Sequence, residues 1–158
     1  MSWKVRPAGQ SDARAISALN GVVQSLHHRH RADWFKPAEV EALLPAVQGW
    51  LSDERVAVFV AEDDRGMLVG YVTGVRFERP DHPLTYGASV VELDQLAVLE
   101  SARNQGIGRA LSERILSWAA EVGASRVELT TWQFNDDAHR LFTSLGFATT
   151  SRRMARTS

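Results

Sequence analysis

The spacing of apolar and polar positions divides the chain into short strands and amphipathic helices. Trp3 to Pro7 reads as a short strand. Ser11-Asp12 caps a helix predicted to run towards His27, with Ala15, Ile16, Leu19, Val22, Val23 and Leu26 on one face. Pro37 suits the first turn of a second helix carrying Val40, Leu43, Leu44, Val47 and Leu51, which Pro45 is expected to interrupt or split. From Arg55 the period shortens. Val56 to Glu62 is β-branched and aromatic, Asp63-Asp64-Arg65-Gly66 makes a turn, and Met67 to Phe77 completes a hairpin. Arg79 to Ala88, with Pro80, Pro83 and Gly87, is a loop, and Ser89 to Leu99 is a strand. A helix follows from about Gly108 to Val122 and stops at Gly123. Arg126 to Trp132 is a strand, Asn135 opens a helix that ends at Leu145-Gly146, and Phe147 to Ala155 is a final strand. Strand–helix–strand units near the C-terminal end require a parallel pair within a mixed sheet.

The chain has 158 residues, which suits one domain over 1–158, and its 44% hydrophobic and 23% charged content is ordinary for a globular protein. A net charge of −1 supplies no global field for nucleic acid or anionic lipid. With no cysteine there is no thiol nucleophile, disulfide or Cys-based zinc site. The start lacks a signal-like apolar run, and no stretch approaches the ~20 apolar residues that cross a bilayer. A soluble, cytoplasmic protein without a metal, acting on neither nucleic acid nor membrane, is the expectation.

The most informative segment runs from Val90 to Trp118. An apolar strand leads into Arg103-Asn104-Gln105-Gly106-Ile107-Gly108, then into a helix with Ile107, Leu111, Ile115, Trp118, Ala119 and Val122 on one stripe. A glycine-bearing turn at a helix N-terminus is an anion site: the first N–H groups are unpaired, the end is partly positive, and glycine admits close approach. Arg103 and Arg109 add charge. The Rossmann and Walker patterns are absent, since there is neither Gly-x-Gly-x-x-Gly nor Gly-Lys-Ser/Thr.

The segment Arg103-x-x-Gly106-x-Gly108 resembles the acetyl-CoA loop of the GCN5-related N-acetyltransferase (GNAT) superfamily. Leu93 to Val98 resembles the family's fourth strand, and Asn135-x-x-Ala138-x-x-Leu141-Phe142-x-x-x-Gly146-Phe147 its second cofactor segment. The resemblance is strong from about Ala88 to Met154 and looser before. It implies an α/β (α+β) fold with a mixed, mostly antiparallel sheet of six to seven strands flanked by about four helices. It further implies acetyl-CoA as cosubstrate, with the backbone of Leu96 and Val98 pairing with pantetheine amides. The amides of Asn104, Gln105, Gly106, Ile107, Gly108 and Arg109 would hold the pyrophosphate, and Asn135 would face the pantetheine. Asn135 is equally a good helix cap. Phe142 packs at helical spacing with Ala138 and Leu141, and on the resemblance lies near the thioester.

Acetyl transfer needs an acceptor stripped of its proton, a stabilised oxyanion and a tolerated leaving thiolate. Family members place a carboxylate at Glu92 or Asp94, which by simple alternation share a face with Leu96 and Val98; solvated or paired charges are the structural alternative. Val98 N–H is the oxyanion donor that the resemblance implies. Where many relatives carry tyrosine this chain has Phe142, which cannot donate a proton. The only tyrosines are Tyr71 and Tyr86, and His139 lies one turn from Phe142. The family builds its acceptor site from segments matching Leu26 to Lys36 and Arg79 to Ala88. Candidates there are His27, Trp34, Phe35 and Tyr86, with anchoring in the core the competing reading for Trp34 and Phe35. His27-His28-Arg29-His30 is a poor metal cluster, since no carboxylate sits at a zinc-like interval, and reads as a solvated or mobile loop. The resemblance points to a small-molecule amine acceptor and leaves room for a homodimer. Protein lysine or N-terminal acetylation, and an acyl-CoA-binding regulatory module without turnover, are the alternatives.

Overall fold

A mixed sheet of five strands in the order β1-β2-β3-β4-β5 organises the chain in the computed structural model, which describes residues 2–158. The strands are β1 (Trp3–Pro7), β2 (Val56–Asp63), β3 (Leu68–Arg79), β4 (Ala88–Val98) and β5 (Arg126–Glu128). The helices are α1 (Ala13–His30), α2 (Val40–Ser52), α3 (Ile107–Glu121) and α4 (Asp136–Ser144), with 3-10 turns at Gln10–Asp12 and Glu100–Ala102. β1 to β4 are antiparallel neighbours, and β5 adds in parallel, with Val90, Val91 and Glu92 opposite Arg126, Val127 and Glu128.

Six to seven strands were expected and five form. The predicted strand Arg126–Trp132 stops at Glu128, and Phe147–Ala155 forms no strand. A strand is defined by its partner, and neither stretch finds one beyond those three residues. Pro45 does not split α2, which begins at Val40 rather than Pro37. The carbonyl that Pro45 deprives of its donor belongs to Glu41, and both residues are exposed, so water solvates it. α1 continues to His30, so the histidine run is helical and not a loop.

Each sheet face carries its own core. Phe59, Ala61, Val72, Val91 and Leu93 pack against Ile107, Leu111, Ile115 and Ala119 of α3 and Phe142 of α4. On the other face Val58, Val60, Tyr71 and Ala97 pack against Ile16 and Leu19 of α1 and Val47 of α2. Two glycines of β3 set the height of α3. A β-carbon at Gly70 would stand 3.0 Å from the Ala97 carbonyl oxygen and 3.1 Å from Leu111; one at Gly74 would stand 2.9 Å from Ile115. At the far edge of the sheet, buried Asp12 accepts from Gly9 N–H at 2.8 Å and from Arg6 Nη1 and Nη2 at 2.9 and 3.0 Å; Arg6 also pairs with Glu62.

β4 holds an irregularity that alternation does not reveal. Thr73 faces Gln95 but Gly74 faces Leu93, so Asp94 is an extra residue, a β-bulge. The bulge reverses the parity of side chains. Val91, Leu93, Leu96 and Val98 therefore belong to the α3 face, while Glu92, Gln95 and Ala97 belong to the α1 face. Glu92 and Leu96 do not share a face as simple alternation requires.

Candidate functional site

The short reach of β5 opens the sheet. Beyond Glu92, β4 has no neighbour on its β5 side. Leu99 N–H donates to Val69 of β3 at 2.8 Å, and Gln95 N–H donates to the Thr73 hydroxyl at 3.0 Å. Alternation then turns the N–H and C=O groups of Leu96 and Val98 away from β3, into the open splay. The two residues that the sequence assigns to an added-strand contact thus present free backbone, with side chains half-buried against α3 and α4.

The glycine-bearing turn stands at the head of this splay. Asn104 (φ 61°) and Gly106 (φ 80°) adopt left-handed backbone, and Gly106 caps α3. Among the described residues, no N–H from Asn104 to Arg109 has a hydrogen-bond partner within the chain; the next amide, Ala110, donates to Gly106 at 3.0 Å. Six successive amides at a helix head form an anion cradle. A β-carbon at Gly106 would meet nothing within 4 Å, whereas one at Gly108 would touch Leu141 at 3.4 Å and Val98 at 3.8 Å. Gly106 faces the open side, and Gly108 lets the turn sit close to β4 and α4. The Arg103 side chain is exposed and has no partner among the described residues, and Arg109 leans on Glu113 at 3.3 Å. Asn135 caps α4 by accepting from Ala138 N–H at 3.2 Å. Phe142 is buried and meets Phe147 edge-on at 5.7 Å.

Glu92 is half-buried, without a hydrogen bond or ion pair among the described residues, and cross-strand from Glu128. Burial, then the charges of Asp94 and Glu128, push its carboxyl above the usual glutamate range. Glu128 is instead held low by Arg79, whose Nη2 donates at 3.0 Å. Asp94 is exposed on its bulge. Next to it, Asn20 of α1 donates to the Tyr71 hydroxyl at 2.9 Å and to Gln95 Oε1 at 3.2 Å. Burial pushes the Tyr71 hydroxyl up to about 12, which makes it a poor proton donor.

An aromatic wall closes the same end of the sheet. Residues 129–135 leave β5 beside Glu92 and meet the last turn of α1. Phe134 stacks on His30 at 4.4 Å and meets His27 edge-on at 5.7 Å; Trp132 packs on Phe35 at 4.9 Å. His28 Nδ1 donates to the Phe35 carbonyl at 2.7 Å and fixes the turn after α1. Burial, reinforced by His30, lowers the His27 pKa, so its ring is neutral at pH 7. Trp34 is not a core anchor: it is 63% exposed and meets the wall only through Trp132, at 6.3 Å. Tyr86, 94% exposed in the β3–β4 loop, joins none of these pairs. Trp132, Phe134, His30 and the Asn20–Tyr71–Gln95 group were not foreseen; only the exposed-looking Trp132-x-Phe134 in a polar stretch hinted at them.

The sequence model of the acetyltransferase (GNAT) family matches residues 23–147. The chain belongs to this family. Among relatives of this GNAT chain, an uncharacterized N-acetyltransferase of Mycobacterium bovis is 35% identical over 98 residues, 62% of this chain and 56% of that protein. N-acetyltransferase 8 of Mus musculus is 35% identical over 103 residues, 65% of this chain and 43% of that protein. The chain thus spans about half the length of the curated relatives it matches. A Bacillus halodurans protein solved as a tetramutant superposes with a TM-score of 0.92 at 26% identity, covering 98% of this chain and 99% of that one. An aminoglycoside N-acetyltransferase, AAC(6')-Iy, solved in complex with CoA, superposes at 0.78 with 20% identity, covering 99% of this chain and 95% of that one; it shares the fold. No helix among the described residues is long and apolar enough to cross a membrane, and no group of three or more His, Cys, Asp or Glu there could hold a metal.

Proposed function

We propose that this GNAT chain transfers an acetyl group from acetyl-CoA to the primary amine of a small molecule. The observation that carries the reading is the run of free amides from Asn104 to Arg109 at the head of a strand whose edge, at Leu96 and Val98, is unpaired. These residues fit the cosubstrate: the amides and Arg103 suit a diphosphate, and the open edge suits two pantetheine amides. Asn135, already a helix cap, has its side-chain amide left to donate. The AAC(6')-Iy protein, also solved with a bisubstrate analogue, CoA-S-monomethyl-acetylneamine, supports CoA as donor and a small amine as acceptor.

The chemistry follows from the two sides of β4. Glu92, unpaired and with a raised pKa, accepts the proton of the acceptor ammonium, directly or through water. Exposed Asp94 attracts the cation. The free amine attacks the thioester carbonyl, Val98 N–H donates to the oxygen as it becomes negative, and the C–S bond breaks to leave the thiolate. Phe142 offers that thiolate no proton and the Tyr71 hydroxyl holds its own too tightly, so the second proton, shed by the nitrogen as the amide forms, reaches the thiolate through water. The wall of His27, Phe35, Trp132 and Phe134 favours an acceptor with a cationic or flat apolar body.

The test is thiol release from acetyl-CoA against a panel of polyamines, aminoglycosides, amino-acid derivatives and lysine peptides, with binding of CoA by calorimetry. Amine-dependent release with a small molecule is expected. Release only with peptides would move the acceptor to protein, and binding without release would leave a non-catalytic module.

A further inference from the structure

Two glutamates stand side by side on the α1 face of the sheet, and the cations around them go to one alone. Glu92 of β4 and Glu128 of β5 are register partners, so their side chains leave the sheet on the same face. Carboxylates set directly opposite repel, and a close pair of them tends to share one proton. Arg79, the last residue of β3, faces Ala88, while Val75 faces Glu92, so Arg79 lies on that face too. Its side chain passes the Phe77 ring, 5.8 Å from the guanidinium carbon, and crosses the row of Val90 to reach Glu128. There Nη2 donates to both carboxylate oxygens, at 3.0 and 3.2 Å, and Nη1 donates to Oε1 at 3.2 Å. Arg126 Nε lies 3.8 Å from the same Oε1. Among the described residues neither arginine pairs with Glu92. The remaining charged groups do not change this allocation. Asp94, on the same strand as Glu92, is a further anion. α1 has no titratable side chain between Arg14 and His27, and the one in α2, Glu41, pairs with Arg14.

We propose that Arg79 is a positioning residue for acetyl transfer: its clamp on Glu128 keeps the two glutamates from sharing a proton and leaves Glu92 as the free base. The role rests on the reading of Glu92 as the proton acceptor. Two like groups whose surroundings set them apart can take separate duties. Arg79 hydrogen bonds hold the Glu128 carboxyl low, while burial, Asp94 and Glu128 push that of Glu92 up. Glu128 therefore stays an anion, and the acceptor ammonium gives its proton to a carboxylate oxygen of Glu92. No bond forms or breaks at Arg79 or Glu128. The planar fork of arginine fixes the Glu128 carboxylate in place, where the point charge of lysine only attracts it.

The test follows the Glu92 carboxyl by NMR titration of the isotope-labelled full chain, its signal assigned by its loss in Glu92→Gln. Beside it runs the pH profile of kcat/KM for thiol release, with the amine of the panel that turns over; its acid limb reports the free enzyme's base. Arg79→Gln is expected to raise the Glu92 midpoint by about 0.5 to 1 pH unit, the pair being partly exposed and screened, and to move the acid limb equally. Glu128→Gln is expected to move both the other way. Arg79→Gln with Glu128→Gln removes one charge of each sign and is expected to return both to the parent values. A mere strut between β3 and β5 would leave that double variant as disturbed as Arg79→Gln. Arg79→Lys is expected to fall between the parent and Arg79→Gln. A Glu92 midpoint unmoved in Arg79→Gln overturns the inference, as does a double variant that does not return. A midpoint that moves with no matching limb in thiol release supports the clamp and overturns Glu92 as the base, so the two failures read differently.

Discussion

Glu92 carries opposite signs for stability and activity. Its carboxyl is raised by burial and by Asp94 and Glu128, so the folded protein prefers it protonated. Its contribution to stability is therefore full below the ordinary glutamate value of about 4.3 and lost as pH rises through the higher folded value. Glu92→Gln removes that ionisation. Thermal melts are expected to show the variant more stable than the parent at pH 7 to 8, with the gap closing below about pH 4. Acetyl transfer is expected to fall about 10²- to 10⁴-fold while CoA affinity holds. Full turnover in Glu92→Gln would remove it as the base. The sequence made Glu92 visible because a carboxylate in an apolar strand is conspicuous. It misled on the face, because a bulge at Asp94 adds a residue without leaving a mark in the pattern. The Asn20–Tyr71–Gln95 bonds span up to 75 residues and were invisible for the same reason: strand register is a non-local property.

At the scale of elements, the cradle depends on how closely α3 lies on β3. Ile107 and Leu111 pack over Gly70, where a β-carbon would also press on the Ala97 backbone oxygen at 3.0 Å. That carbonyl is fixed in the sheet, so α3 must move instead. Gly70→Val is expected to cost ~2 kcal/mol in urea unfolding, and to weaken CoA binding in the variant that still folds, since Ile107 opens the helix whose amides form the cradle. Gly49→Ala serves as the control. Gly49 is exposed inside α2, with nothing within 4 Å of a β-carbon, and alanine there is expected to stabilise by up to ~1 kcal/mol without effect on CoA. Weaker binding in the control alone would break the link between α3 height and the cradle. The turn from Arg103 to Gly108 was legible because its chemistry is local, set by a few residues in order. The lengths of β5 and of the last strand were not, because a strand ends where its partner ends.

For the molecule as a whole, the clasp of Arg6, Asp12 and Glu62 lies at the β1–β2 edge, with β3 and β4 between it and the open splay. It joins β1, the entry to α1 and β2, so it fixes the α1–α2 layer on the sheet. Arg6 hydrogen bonds, with help from Gly9 N–H, hold the Asp12 carboxyl below the usual aspartate range. A depressed folded value means that this stabilisation is present above about pH 3.9 and lost as pH falls through the folded value. Asp12→Ala leaves Gly9 N–H and half of Arg6 unsatisfied in a largely buried place, at a cost of about 2 to 3 kcal/mol near neutral pH. The difference from the parent is expected to shrink as unfolding is measured at pH 4, 3 and 2. The site end of α1, from Asn20 to His30, is held by its own contacts with β4 and with the wall. Those contacts do not pass through Asp12, so the KM for acetyl-CoA is expected to stay unchanged at temperatures where the variant is folded. A raised KM with unchanged stability would mean that the clasp positions the cleft and does not merely hold the layers together.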